Sequence, residues 1–300
     1  MFIIKYRKFF LGLSILLMLG SIGSIIFNGI SFGIDFTGGT ILEVKYPENI
    51  PTQMQVEEAV SSYTDSGFIV RSVEDSKYAI RTEFLSEETH NNLLDNLSFS
   101  GEYIVEQERL SSIGPVIGDE LKSKAVIAII IVVVAIILFV AFAFRRVSKP
   151  VSSWVYGLVA IIALIHDILI PAGVFAALSH FTIAEVDVLF VTALLAILGY
   201  SVNDTIVVFD RIRENLKENS ESNIKESFRE TVGKSLSQTI TRSINTSLTT
   251  VLALLALFIF GGSTTHNFAL TLLVGVIAGT YSSIFFASPL LVLLNRKKDE

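Results

Sequence analysis

Six stretches of the chain are apolar almost without interruption, roughly 9–30, 124–144, 152–178, 186–210, 244–261 and 266–294. Each approaches or exceeds the ~20 residues that an α-helix needs to cross a ~30 Å hydrocarbon core. The fifth is the shortest, and its helix is expected to begin before Ile244. Between the first and second runs the rhythm changes. Thr40–Tyr46 reads as a strand, Thr52–Tyr63 as a helix behind Pro51, and Phe68–Glu74 and Lys77–Phe84 as two strands. Ser86–Leu97 reads as a helix with Glu87 and Glu88 in its first turn, and Tyr103–Leu110 as a last strand. The order βαββαβ predicts a split βαβ, ferredoxin-like module. The expected fold is therefore an α-helical polytopic membrane protein of six transmembrane helices with one small α+β ferredoxin-like extracytoplasmic domain. Its parts are 1–30, a short N-terminus and first span; 31–122, the α+β domain; and 123–300, a five-helix membrane region.

Charge orients these elements. Lys5, Arg7 and Lys8 precede the first run, and Arg145, Arg146 and Lys149 fill the turn after the second. Arg211, Arg213, Lys217, Lys225, Arg229, Lys234 and Arg242 follow the fourth, and Arg296, Lys297 and Lys298 follow the sixth. Residues 179–187 and 262–267 have no Lys or Arg. The positive-inside rule then puts both termini in the cytoplasm. Residues 31–122 carry six basic against seventeen acidic residues and lie outside. The first run resembles a secretory signal in its basic flank. It is too long for an h-region and lacks an A-x-A cleavage site, so it reads as a retained span. In the cytoplasmic stretch 211–243, Phe228, Val232, Leu236 and Ile240 recur every four residues, with Lys225, Arg229, Glu230, Lys234 and Gln238 between them. That pattern is an amphipathic helix, either lying in the interface or extending the fifth helix into the cytoplasm.

A hydrophobic content of 51% and a mean hydropathy of +0.61 suit a multi-pass membrane protein. The absence of Cys excludes disulfides and thiolate metal sites. The four His residues show no zinc-binding spacing, and no Gly-rich phosphate loop of the P-loop kind is present. No nucleophile–base or metal constellation points to an enzyme, and no cofactor is expected beyond protons as a coupling ion.

The candidate chemistry lies within the spans. Asp204 and Asn203 interrupt the apolar run that begins at Val188. An ionised Asp at the centre of a spanning helix costs about 2.5–3.5 kcal/mol on insertion scales, so a carboxylate there faces a partner or a water path. Helical spacing puts Tyr200, Ser201, Asp204 and Arg211 on one face, where the hydroxyls could orient the carboxylate or hold water. The alternative is an Asp that serves packing alone. Asp167, beside His166, falls midway along the third span as either a proton relay or a structural hydrogen bond. Pro171 is expected to kink or loosen that helix, and Asn203 to hydrogen-bond across helices. Gly275 with Gly279, and Gly20 with Ser24, read as close helix contacts. Gly38 and Gly39 allow a backbone bend, as a tight turn or a hinge.

These pieces are ordered and spaced as in one family. Gly33-Ile-Asp-Phe-Thr-Gly-Gly-Thr40, with Asp35, Gly38 and Gly39, resembles the motif that opens the ectodomain in the SecF branch of the SecD/SecF family. Tyr200-Ser-Val-Asn-Asp-Thr-Ile-Val-Val-Phe-Asp-Arg-Ile-Arg-Glu-Asn215, with Ser201, Asp210 and Arg211, resembles that branch's fourth-span signature. Ile113–Leu121, Ser243–Thr250 and Gly279–Pro289 resemble the lead into its second span and parts of its fifth and sixth. The resemblance implies a membrane subunit of the resistance-nodulation-division superfamily in the bacterial cytoplasmic (inner) membrane. It implies work with SecD beside the SecYEG channel and the SecA motor, on an exported unfolded polypeptide and within the lipid bilayer, and no nucleic acid partner. Inward proton flow would drive ectodomain movement that pulls secreted chains outward. Asp204 would carry the proton. Arg242 matches a position neighbouring that Asp and could alternate with the proton as its partner, or it is an ordinary positive-inside residue. The N-terminal segment Met1 to Lys8 is expected of a separate chain rather than half of a fused SecD–SecF protein. Half of a proton-driven exporter of the same superfamily, and a non-transporting scaffold of the Sec channel, are the competing readings.

Overall fold

The structure is a computed structural model that describes residues 2–63, 67–74, 76–144, 151–181 and 184–295. The topology-setting residues Arg145, Arg146, Lys149, Arg296, Lys297 and Lys298 lie outside the described residues. The chain divides into two compact units.

The larger unit takes in the residues up to Ile30, Ala128–Ala184 and the chain from Leu189 onward. Among the described residues six helical segments are long and apolar enough to cross a membrane. A four-residue turn, α1 (Phe2–Lys5), leads into the first, α2 (Arg7–Asn28). The helix α2 stops at Gly29, whose N–H closes the last bond to the Ile25 carbonyl and whose φ of 73° turns the chain out of the helix. The later spanning helices of this unit include α7 (Ser153–Phe181), α8 (Val188–Glu221) and α9 (Phe228–Phe260). The helix α7 runs through Pro171 without a break.

The stretch with a four-residue repeat extends the fifth helix rather than forming a separate surface helix. Ser227 and Glu230 cap α9 reciprocally, each side chain bonding the other's backbone N–H. Phe228, Val232 and Leu236 are buried in the same apolar cluster as Phe209 and Ile212 of α8. The polar seam between the two helices is equally specific. Asn215 donates to Ser235 and Gln238, and Asn219 to Thr231 and Glu226.

The sixth span has an irregularity that periodicity does not reveal. It runs as α10 (Ser263–Tyr281), a π-helical turn over Ser282–Ala287, and α11 (Ser288–Leu294). Pro289 has no N–H to give the Phe285 carbonyl four residues back, and the wider turn before it accommodates that loss. Glycines let the helices approach. A Cβ on Gly275 would lie 2.1 Å from Ile197, and one on Gly279 3.1 Å from Ser201, so this pair is a packing surface against α8. In α2, Gly20 has open space around it. Ser21 and Ser24 make the close contact instead: a Cβ on Gly173 would lie 2.4 Å from Ser21, and Ser24 donates to the Gly173 carbonyl.

The smaller unit comprises Ser31–Ile127 together with Glu185–Val188. It begins with a single turn, α3 (Ile34–Thr37), and continues through β1 (Gly39–Lys45), α4 (Gln53–Ser61), β2 (Ile69–Glu74), β3 (Lys77–Thr82), α5 (Glu87–Leu97) and β4 (Glu106–Ile113) into α6 (Pro115–Ala143). The four strands form one antiparallel sheet in the order β2-β3-β1-β4. Leu42 and Val44 of β1, Tyr46 just past its end, and Tyr78 and Ile80 of β3 alternate onto one face, where they pack with Val56, Val60, Leu93 and Leu97 of the two helices. Inside this core Tyr46 donates to the Leu97 carbonyl and Tyr78 to the Pro51 carbonyl. Burial pushes the hydroxyls of both tyrosines above the usual tyrosine range.

The opposite face of β3 presents Arg81 to the base of the unit. Its guanidinium donates to Glu185, to the Phe32 carbonyl and to the Thr37 hydroxyl. Backbone bonds run both ways between the two segments: Gly33 N–H to the Val186 carbonyl at 2.9 Å, and Val186 N–H to the Ser31 carbonyl at 2.8 Å. Asp35 accepts the Val188 N–H at 2.9 Å, so a carboxylate from the Gly-rich motif sits on the first residue of α8. Gly38 and Gly39 form a tight turn. Their φ values are 70° and 128°, and a Cβ would meet Pro115 at 2.9 Å and the Thr82 carbonyl at 2.7 Å respectively.

Candidate functional site

Asp204 and Asp167 both lie inside the helical unit, and their surroundings differ. Asp204 lies on the α8 face buried by its neighbours, with 8% of its surface exposed. Ser243 of α9 donates to its Oδ1 at 2.5 Å. Its Oδ2 is buried and has no hydrogen-bond partner among the described residues. One turn along, Tyr200 of α8 and Thr280 of α10 both donate to the Ser247 hydroxyl of α9, at 3.1 and 2.6 Å. Ser247 in turn donates to the Ser243 carbonyl at 2.8 Å. Thr205 and Ser283 share a hydrogen bond at 2.8 Å, joining the residue after Asp204 to the π-helical turn. A file of hydroxyls from three helices therefore runs beside the carboxylate.

Asp167 of α7 is fully enclosed and fully partnered. His166 Nδ1 lies 2.8 Å from its Oδ1, Ser282 donates to Oδ2 at 2.7 Å, and Ser201 donates to the same oxygen. The His166 ring stacks near Tyr281 and Phe286, with centroids 6.0 and 5.1 Å away. Its Nε2 is buried and has no partner among the described residues. The Asp167 pair thus ties α7 to α8 and to the first residue of the π-turn.

Several candidates fall elsewhere. Ser201 and Tyr200 do not reach Asp204: Ser201 turns to Asp167 and Tyr200 to Ser247. Asn203 is exposed and makes no cross-helix hydrogen bond among the described residues. Arg242 precedes Ser243 on α9 and is exposed; no ion pair joins it to Asp204 among the described residues, yet it is near enough for its charge to act on that carboxylate. Arg211 bonds Gln238 and Glu214 at the far end of α8, and Asp210 pairs with Arg213. Gly33, Asp35, Gly38 and Gly39 belong to the base of the small unit. The residue that sequence reasoning left out of the site is Ser243. The available signal was its place three and four residues before Thr246 and Ser247 in a run of hydroxyl residues that no apolar helix needs.

Outside the spans, burial pushes the Glu185 carboxyl above the usual range, and Asp187 adds to the rise. Arg81 and Arg71 oppose it.

Six apolar helices long enough to span, with carboxylates held among them by hydroxyls of other helices, define a multi-pass membrane protein with ionisable groups buried in its bundle. Residues 95–297 match the family described as protein export membrane protein SecD/SecF, C-terminal, and residues 23–46 match the SecD/SecF GG motif. The chain belongs to the SecD/SecF family. It is similar to the protein translocase subunit SecF of Thermobaculum terrenum, at 39% identity over 98% of this chain and 94% of the relative. It is likewise similar to that of Sebaldella termitidis, at 38% identity over 99% of this chain and 92% of the relative. Among solved structures, SecDF of Thermus thermophilus, described as a translocon-associated membrane protein, superposes with a TM-score of 0.83 at 33% identity. That match covers 98% of this chain, which spans 38% of the length of the solved one.

Proposed function

We propose that this chain is a SecF-type subunit of the bacterial protein translocase that couples the proton-motive force to late, extracytoplasmic steps of protein export. The observation that carries the coupling is the buried Asp204 carboxylate, with one oxygen held by Ser243 and the other, among the described residues, unpartnered beside a file of hydroxyls. Such a group can take a proton without first breaking a set of bonds. The driving force is adequate: one charge moved through 100 mV is worth about 2.3 kcal/mol, and each pH unit adds about 1.4 kcal/mol per proton. His166 and Asp167 form the second, more tightly held station of this pathway.

SecD is the proposed partner, and an outward-facing polar surface supports it. Asn203 of α8 and Arg242, Asn245, Thr246 and Thr249 of α9 are all exposed. Polar side chains of spanning helices are costly against lipid and are accommodated by facing protein or a water-filled cavity. Arg242 would there serve a site completed by the second chain, consistent with the location of transporter sites at the interface of pseudo-symmetric halves. SecYEG, SecA and the unfolded exported polypeptide follow from the same family reading. So do the inner membrane and the cytoplasmic position of both termini. The strand order with its two crossover helices supports a split βαβ, ferredoxin-like reading of the small unit.

Inverted membrane vesicles lacking native SecF provide the test. Completion of a trapped secretory chain is followed with and without a proton gradient, for wild type and Asp204→Asn. The proposal requires the gradient to speed the wild type and not the variant. Equal responses would make Asp204 a packing residue and the chain a scaffold.

A further inference from the structure

On the side bearing α1 and the start of α9, the helical unit has an open cavity of about 960 Å³. Phe2, Ile4 and Lys5 line it from α1, and Arg229, Glu230 and Lys234, with Ser227 and Ser237, from the α9 segment. Three of these side chains are cationic. None of the three makes an ion pair among the described residues, and Lys5 only leans over the Tyr6 ring at 5.5 Å. The one carboxylate, Glu230, is committed to the helix cap, where it accepts from the Ser227 N–H and hydroxyl at 3.0 and 2.8 Å. The cavity therefore carries three cations against one carboxylate, on which the neighbouring Arg229 charge acts. Its floor is fixed, because Ile3 and Ile4 are buried in one apolar cluster with Phe228, Val232 and Leu236. Its lining includes an apolar ring, Phe2, that is 65% exposed.

Charge in the cavity beside the exposed Phe2 ring matches a ligand that is anionic at one end and apolar at the other. A basic pocket between helices at the cytoplasmic membrane surface suits an anionic lipid headgroup. Aromatic side chains suit the headgroup–acyl boundary. We propose that the cleft between α1 and the first two turns of α9 is a binding site for the phosphate headgroup of an anionic phospholipid, held by Lys5, Arg229 and Lys234 with its acyl chains leaving past Phe2. This inference rests on the membrane reading and its orientation. It does not rest on the export reading, so a failure in lipid binding and a failure in proton-coupled export can be told apart.

The test uses the purified full chain, stripped of lipid in detergent and exposed to phosphatidylglycerol, cardiolipin or phosphatidylcholine, with retained lipid counted by native mass spectrometry. Wild type is expected to retain the two anionic lipids in preference to phosphatidylcholine. Each basic residue near an anionic lipid surface is worth about fivefold in binding. Lys5→Gln/Arg229→Gln/Lys234→Gln should then lose anionic lipid by between about tenfold and about a hundredfold. Lys217→Gln/Lys225→Gln, basic positions outside the cavity, should retain it. If the triple variant does not fold, Arg229→Gln alone should show about a fivefold loss. Retention unchanged in the cavity variants, or an equal loss in the Lys217/Lys225 control, would overturn the site. Displacement of lipid by inorganic phosphate alone would make it a free-phosphate site and overturn the lipid assignment.

Discussion

Asp167 and Asp204 are both buried carboxylates in the same helical unit, and only one of them is sealed. Asp167 accepts from His166, Ser201 and Ser282, whereas among the described residues Asp204 accepts from Ser243 alone and keeps one oxygen unpartnered. A carboxylate with both oxygens hydrogen-bonded is held in place and fixes its neighbours. One with a vacant oxygen can exchange a proton for little rearrangement. The family motif contributes to both sites: Ser201 serves the first, and Asp204 the second.

The largest expected effect is at the sealed site. Asp167→Ala strands His166 and two serine hydroxyls in the interior, which should cost about 3–5 kcal/mol of stability. Thermal unfolding in detergent would report it. Asp204→Asn keeps its shape and an acceptor for Ser243, so unfolding should shift by less than about 1 kcal/mol while the response of export to a proton gradient is lost. If the two variants were equally destabilised, the contrast between the sites would collapse. Ser243→Ala sharpens it further. Losing the one hydrogen bond to a charged group is worth about 1.5 kcal/mol or more, so gradient-driven export should slow about tenfold. Ser201→Ala should leave the export rate within about twofold, because Asp167 retains its other donors.

The smallest effect is a pH dependence in the small unit. In the folded protein the Glu185 carboxyl keeps its proton to higher pH than it would in a free loop. Attachment of residues 185–188 is therefore strongest below the ordinary carboxylate range and weakens as pH rises through the raised value. Hydrogen exchange at the Val186 and Val188 amides, followed against pH, should quicken across that window. Glu185→Gln should flatten the profile.

Much of this protein is legible in its sequence, for identifiable reasons. A spanning helix must be apolar over its whole length, so the six spans stand out by composition alone. Alternation over Thr40–Tyr46 and Lys77–Phe84 marks β1 and β3 because one face of each is buried. Asp204 stands out as a charge within an apolar run. Its contacts do not, because helix rotation decides which side chains meet, and almost every face of these helices is apolar. Helical spacing placed Ser201 beside Asp204, whereas the packing of α7 against α8 turns Ser201 to Asp167. The π-turn was hidden for a related reason. One extra residue in a turn leaves no trace in a uniformly apolar segment, and Pro289 is its visible mark.

The strand pattern would draw the edge of the small unit after the last strand, yet Glu185–Val188 belong to it as fully as its own strands do. A protein chemist who excised residues 31–127 would release a fragment whose Arg81 and Asp35 had lost Glu185 and the Val188 amide. A synthetic peptide covering 184–188, supplied to that fragment, is the missing piece of its base. The functional boundary of a module is thus set by which backbone amides it satisfies, and the order of residues along the chain is only a first guide to it.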